Sequence, residues 1–400
     1  MEISYPLIYW IFKSLFWVSV FVVLYSYLIF PLILFLLSYR KKLQNKSYEK
    51  NSKNLPKVSL VIAAYNEQDV IEQKVRSIFN TTYPKEKIEV LIGSDNSDDN
   101  TNAIVENLCK EYSSLKFFPF KNRRGKGNVI NDLFEKSEGR VVIFTDANVM
   151  LEENTLFELV RYFRDPKTGL VDTRMVNTNM HHSGISFQER FYISREVHIK
   201  QYESILWGTM MGPFGGCFAI RRELFHPVPK NFLVDDFYLN MKVLEQGYNC
   251  INNLHATVNE DVSNNLKDEF HRKIRISTGN FQNLREFSHL LRHKTKGLSF
   301  CFISHKAIRW IIPFFLIIAF VCNLILSFYS QFYFYVFLMH CVLLLLPLLE
   351  ISLRKINIHA GVLRYITHFY SMNLALLLGF FKSLKNIESN VWKPTQRNQV

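Results

Sequence analysis

No two of the six cysteines lie close together and no CxxC occurs, so the sequence offers neither a disulfide frame nor a zinc-site spacing. Cys109, Cys217, Cys250, Cys301, Cys322 and Cys341 read as buried thiols in a reducing compartment. Internal repeats and low-complexity tracts are missing as well. Charge is absent from two long stretches, Leu15–Leu37 and Ile311–Tyr329, each able to cross a bilayer core as a helix. That uneven distribution excludes a purely soluble globule. An aromatic content of 15% with 35 Phe excludes a disordered chain. The expectation is a membrane protein with a soluble part.

What charge there is has a sign and a place. The net charge of +13 is concentrated in two stretches. Ser38–Lys57 holds seven Lys+Arg against Glu49, and Asn264–Arg309 holds ten against three acids. Both stretches adjoin apolar segments, and neither carries the aromatic interleaving of a nucleic-acid-binding surface. Basic flanks of this kind favour the cytoplasmic side of a membrane, which puts the soluble part on that side of the plasma membrane, facing anionic lipids. Leu15–Leu37 is too long for a cleavable leader and reads as an anchor. Ile311–Tyr329 and Phe332–Leu349 form a close pair of spans. Tyr365–Phe381 carries His368, Ser371 and Asn373, and either spans or lies in the interface. The expected division is an anchor over 1–40, a soluble domain over 57–291, a basic interfacial segment over 292–310, a membrane region over 311–381 and a tail over 382–400.

Between Lys57 and Tyr248 short apolar runs alternate with amphipathic stretches. Val58–Ala63, Ile88–Gly93, Leu115–Phe118 and Val141–Thr145 read as strands, with helices over about 69–80, 101–112 and 127–137 between them. This order predicts an α/β fold with a mostly parallel sheet and helices on both faces. Ligands bind such sheets beyond the carboxyl ends of the strands. Here those ends are Ala64-Tyr65-Asn66-Glu67, Ser94-Asp95-Asn96-Ser97-Asp98-Asp99 and Asp146-Ala147-Asn148. GxGxxG does not follow the first strand, and GxxxxGK[ST] is absent, which removes the usual anchors of dinucleotide redox and P-loop chemistry. Acids at strand ends suit Mg²⁺ or Mn²⁺ holding a diphosphate.

The runs VSLVIAAYNEQDVI, SDNSDDNT, RRGKGNVIN, VVIFTDANVML, GPFGGCFAIRRELF and VDDFYLNMKVLEQGY resemble, in that order, a membrane-bound family 2 glycosyltransferase of the GT-A fold. The resemblance covers roughly Lys57–Leu284. It implies an inverting transfer from a nucleotide-sugar, with Ala64, Asn66, Glu67, Asp95, Lys126, Asp146, Gly215 and Gly216 lining the donor pocket. In the family an aspartate at the Asp95 position reads the uracil of a UDP-sugar. A DxD motif holds the metal; here Asp146 keeps the first acid and Asn148 replaces the second. An amide oxygen still ligates a hard cation but adds no charge. Asp235 and Asp236 fall on an acidic pair whose second member is the base that takes the acceptor's proton. Arg275 falls on the arginine of a Gln-x-x-Arg-Trp motif of processive members, where Arg272 and Ile276 replace the glutamine and the tryptophan.

The acceptor side is less defined. Ile185–Tyr202 is expected to be an amphipathic helix at the membrane interface, by which a lipid-linked or glycan acceptor approaches. Ser304–Trp310 reads as a basic-aromatic anchor, and His181 and His182 as loop residues. Trp392–Arg397 faintly resembles a C-terminal pattern of some membrane synthases. Three readings compete with single-sugar transfer: a processive polysaccharide synthase, a binding protein that kept the fold and lost the chemistry, and a transporter. The transporter lacks support, since no span carries a buried charge. Oligomeric state is not legible.

Overall fold

The computed structural model describes residues 7–178, 186–261, 266–293, 297–356, 360–385 and 387. Eight strands form one sheet in the order β3-β2-β1-β4-β7-β6-β8-β5. They are β1 (Val58–Ala64), β2 (Ile88–Asp95), β3 (Leu115–Phe120), β4 (Val141–Thr145), β5 (Val149–Leu151), β6 (Thr168–Thr178), β7 (Cys217–Arg221) and β8 (Asn249–Asp261). The first four run parallel, and β6 and β8 follow their direction, whereas β7 and β5 run against it. The four strands β5 to β8 have no counterpart among the strands expected from hydropathy.

The continuous apolar runs are explained by burial on both sheet faces. Alternate residues of β1 part company: Val58, Leu60, Ile62 and Ala64 join one core, and Val61 and Ala63 the other. The first core packs on α2 (Ile71–Phe79), α3 (Thr101–Glu111) and α5 (Thr155–Val160). The second packs on α4 (Lys126–Lys136) and α7 (Asp235–Glu245). Helices thus cover both faces, as expected, and the strand ends are left to hold polar loops.

The remaining helices are α1 (Leu7–Ser38), α6 (Ser186–Trp207), α8 (Leu266–Glu286), α9 (Leu298–Ser327), α10 (Gln331–Lys355) and α11 (Gly361–Ser383). Among the described residues α1, α9 and α10 are long and apolar enough to cross a membrane. The first of these passes through a π-helical turn at Tyr25–Ile29. Helix α11 is not in that class. It packs along α8, where Ser277 Oγ donates to the Leu376 carbonyl at 3.2 Å, and a Cβ on Gly379 would lie 2.4 Å from Ser277 Oγ. The stretch whose course through the membrane was open from sequence is therefore bound to the soluble domain.

Two expectations about the interface change. Helix α6 forms where predicted, yet its inward face is charged: Glu196, Lys200 and Glu203 are buried. The basic residues of Ser304–Trp310 meet these acids instead of lipid headgroups. His305 contacts Glu203 through Nδ1 and Glu196 through Nε2, both at 2.7 Å, while Lys306 and Arg309 each reach Glu196 at 2.7 Å. Lys200 pairs with buried Asp172 at 2.6 Å. Acids this deep require partnered cations, because an unpaired buried charge is costly. His305, Lys306 and Arg309, near the start of α9, are thus engaged inside the protein. His181, His182 and Trp392–Arg397 lie outside the described residues.

Candidate active site

The loops after β1 and β2 are fastened to each other. Asn66, at φ +53°, donates from its backbone to Ser97 Oγ at 3.1 Å, and its side-chain oxygen accepts from the Asp98 amide at 3.0 Å. The Glu67 amide donates to Thr101 Oγ1 at 2.9 Å, and the Gln68 amide to Asp99 Oδ2 at 3.1 Å. Asp95, fully buried, accepts from the backbone amides of Arg124 at 2.7 Å and Gly125 at 2.9 Å. It thereby positions the loop that leads into α4 and delivers Lys126.

A cavity of about 420 Å³ lies beyond the strand ends. It gathers Glu67, Lys126, Asp146, Asn148, Gly215, Asp235, Asp236 and Arg275 on its wall. Gly216 sits behind it, its carbonyl accepting from the Asp146 amide at 3.0 Å and from Thr145 Oγ1 at 2.9 Å. Ala64, Asn66 and Asp95 are not among the residues that line the cavity. The contacts of Asn66 and Asp95 hold the loops that do.

The Lys126 ammonium lies 2.8 Å from Asp146 Oδ1 and 3.8 Å from Asp235 Oδ2, joining the end of β4 to the start of α7. Burial would lower its pKa, but Asp146, Asp235 and Asp236 outweigh that and hold it above the usual lysine range. Asp236 shows the opposite balance. Burial first, and then the Asp235 carboxylate, push it up to about 7, with Lys126 opposing. A carboxylate in this range is suited to exchange a proton near neutral pH. Arg275 comes from α8, donates to the Leu233 carbonyl at 3.2 Å, and is held below its ordinary pKa by burial and then by Arg272.

Residues that sequence reasoning passed over also shape the site. Lys74, in α2, is fully buried and donates to Thr145 Oγ1 at 2.7 Å and to the Val149 carbonyl. It braces both ends of the Asp146-Ala147-Asn148 turn, and burial pulls it down to about 8. Glu260, near the end of β8, lines the cavity and accepts from Asn148 Nδ2 at 3.1 Å. Periodicity contains no signal for either, since each acts on a partner 71 and 112 residues away.

Asp146, Asn148 and Glu260 form a set of hard oxygen donors, and the Lys126 ammonium already occupies a cation position against Asp146. The residues present fit a divalent ion whose shell a diphosphate completes. Among the described residues no group of three or more His, Cys, Asp or Glu side chains converges.

The family model for glycosyl transferase family 2 matches residues 59–228. The probable glycosyltransferase YdaM of Bacillus subtilis is 29% identical over 219 residues, half of each chain. The beta-monoglucosyldiacylglycerol synthase of Trichormus variabilis is 29% identical over 182 residues, 45% of this chain and 39% of that protein. The chain thus spans about half the length, or less, of these curated relatives. Among solved structures, the mannosyltransferase PcManGT from Pyrobaculum calidifontis, in complex with GDP-Man and Mn²⁺, superposes with a TM-score of 0.72 at 19% identity. That match covers 92% of this chain and 99% of the other, so the two share a fold from end to end. The sheet order and the end-to-end likeness show the GT-A fold, and within it residues 59–228 match the glycosyl transferase family 2 model.

Proposed function

We propose that the protein transfers a sugar from a nucleoside diphosphate sugar to a hydroxyl acceptor borne by the membrane, by single displacement with inversion. The observation that carries this reading is the reach of one cavity. It runs from Asp146 and Lys126, past Asp236, to Tyr27 of α1, Ile193 of α6, and His368 and Met372 of α11. A donor at the strand ends and an acceptor arriving from the apolar helices would meet at Asp236. The basic flanks of the domain favour a cytoplasmic site on the plasma membrane.

In the transfer, the acceptor oxygen attacks the anomeric carbon as the bond from that carbon to the diphosphate oxygen breaks, and the bonding pair leaves with the diphosphate. Asp236 accepts the hydroxyl proton; its raised pKa makes it a stronger base than an ordinary carboxylate. Lys126 and Arg275, both on the cavity wall, would offset the charge that develops on the diphosphate. A divalent ion held by Asp146 and Asn148 would add Lewis-acid stabilisation to that same leaving group.

The resemblance ties the Asp95 position to uracil, but here both carboxylate oxygens accept backbone amides and Asp95 does not line the cavity. The donor panel therefore sets UDP-sugars beside GDP-mannose, since PcManGT was solved with GDP-Man. The full-length protein in detergent, given a panel of both with added Mn²⁺ and a lipid extract, should transfer one of these sugars to a lipid-soluble product. Failure with every donor, and with Mg²⁺ in place of Mn²⁺, would favour a binding protein that kept the fold.

A further inference from the structure

The second position of the metal motif is Asn148, and the lost carboxylate has a counterpart elsewhere in the fold. We propose that Glu260 of β8 supplies the negative charge that Asn148 lacks, and fixes the Asn148 amide so that its oxygen serves the cation. This deepens the donor-site reading above and rests on it.

The argument begins with hydrogen-bond polarity. An ionised carboxylate only accepts, so the amide end that faces Glu260 at 3.1 Å must be Nδ2. The Oδ1 end is then turned away from Glu260. Asn148 is 5% exposed, and both residues line the cavity beside Asp146. Without a partner the amide could present either end, and its NH₂ would repel a cation. The pairing itself is built into the sheet, because β5 and β8 are antiparallel with Val149 directly opposite Glu260. The residue before Val149 therefore has a fixed neighbour in Glu260. Asp146, Asn148 and Glu260 together carry the two negative charges of an ordinary two-acid motif, with the second charge moved from position 148 to β8.

This arrangement predicts a result that the plain substitution reading does not. Restoring an acid by Asn148→Asp would place two carboxylates at hydrogen-bond distance, where one must take up a proton or move. Metal binding should then fail to improve. Glu260→Gln removes the charge and permits either amide orientation. The double change Asn148→Asp with Glu260→Gln exchanges the two groups, restoring one carboxylate, one amide and a donor between them.

The test is Mn²⁺ binding to the full-length protein in detergent, followed through the electron paramagnetic resonance of free Mn²⁺. Thermal unfolding of each variant checks that it is folded. Removing a group that orients a metal ligand costs on the order of 10–100-fold in affinity, and Glu260→Gln should fall in that range. Asn148→Asp should bind no tighter than the native protein, and the double variant should recover most of the loss. Losses that simply add in the double variant, or native affinity in Glu260→Gln, would overturn the proposal while leaving the donor site intact. A native protein that binds no Mn²⁺ either alone or with added nucleoside diphosphate would overturn the donor-site reading together with it.

Discussion

A Cβ placed on Gly215 would lie 2.5 Å from Oδ2 of Asp236. Gly215 also adopts φ +82°, in the left-handed region that L side chains rarely occupy. The backbone after the cavity's Pro213-Phe214 edge therefore packs directly on the candidate base and sets how far its carboxylate projects. Gly215→Ala should displace Asp236 while leaving the donor contacts of Lys126 and Asp146 in place. The expected outcome is a loss of turnover approaching that of removing the base, with nucleotide-sugar binding nearly unchanged. Native turnover in Gly215→Ala would mean that the loop and Asp236 adjust at no cost.

Removing the base itself gives the reference point. Asp236→Asn keeps the shape and should lower the rate on the order of 10²–10⁴-fold, with donor binding retained. A fall of less than about tenfold would point to Asp235 as the base instead.

The raised pKa of Asp236 sets a pH dependence with a definite sign. Protonated Asp236 cannot accept a proton, so kcat/KM should rise with pH through a midpoint near 7. Burial remains in Asp235→Asn but the like charge is gone, so the midpoint should move to lower pH. In Lys126→Met the opposing cation is lost, and the midpoint should move up. Stability follows from the same group. A carboxyl raised from 3.8 to about 7 on folding contributes stability that is full below its unfolded value and lost as pH rises through about 7. A pH–rate profile of the two variants decides the assignment; identical midpoints would remove Asp236 from the base role.

The parts of this site legible in the sequence are those whose position follows from local pattern. Asp146 ends an apolar strand and Asp235 and Asp236 open a helix, so period and punctuation locate them, whereas Arg275 was singled out by the family resemblance alone. Lys74 and Glu260 are different. Each stands where a solvated charge is the ordinary expectation, and each matters only because a distant strand lies against it. The same limit applies to Asp95. Its position at a strand end was visible, but its engagement with Arg124 and Gly125 depends on how the next loop folds back. The partners of the basic residues before the α9 span were hidden in a related way. Lys306 and Arg309 look like headgroup anchors until Glu196, 110 and 113 residues earlier, is seen beneath them.

Lys74 makes a prediction about the metal turn. Lys74→Met keeps the aliphatic stem but removes the donor to Thr145 and to the Val149 carbonyl, leaving a buried acceptor unsatisfied. Such a loss costs about 1–3 kcal/mol. The melting temperature should fall, and donor affinity with it, because the Asp146–Asn148 turn loses its brace. The lysine's depressed pKa also means that native stability should gain with pH between about 8 and 10.5, and the variant should lose that gain. Unfolding measured across this range separates the brace from a passive core position.

The last prediction concerns product length. Holding a growing chain between additions requires a surface on which its terminal sugar can rest, and an aromatic ring provides one through stacking. Ile276 of α8 lines the cavity one residue beyond Arg275, where processive relatives of the motif carry a tryptophan. A branched aliphatic side chain offers no flat face to a sugar. One or a few sugars should therefore be added per acceptor before release. Sizing the products with donor in excess should show short species spread over all of the acceptor. Ile276→Trp, which restores the flat face, should lengthen them if this position sets retention. Long chains made by the native protein while most acceptor is untouched would show that another group holds the product, and Phe281 on the same helix would be the next residue to change.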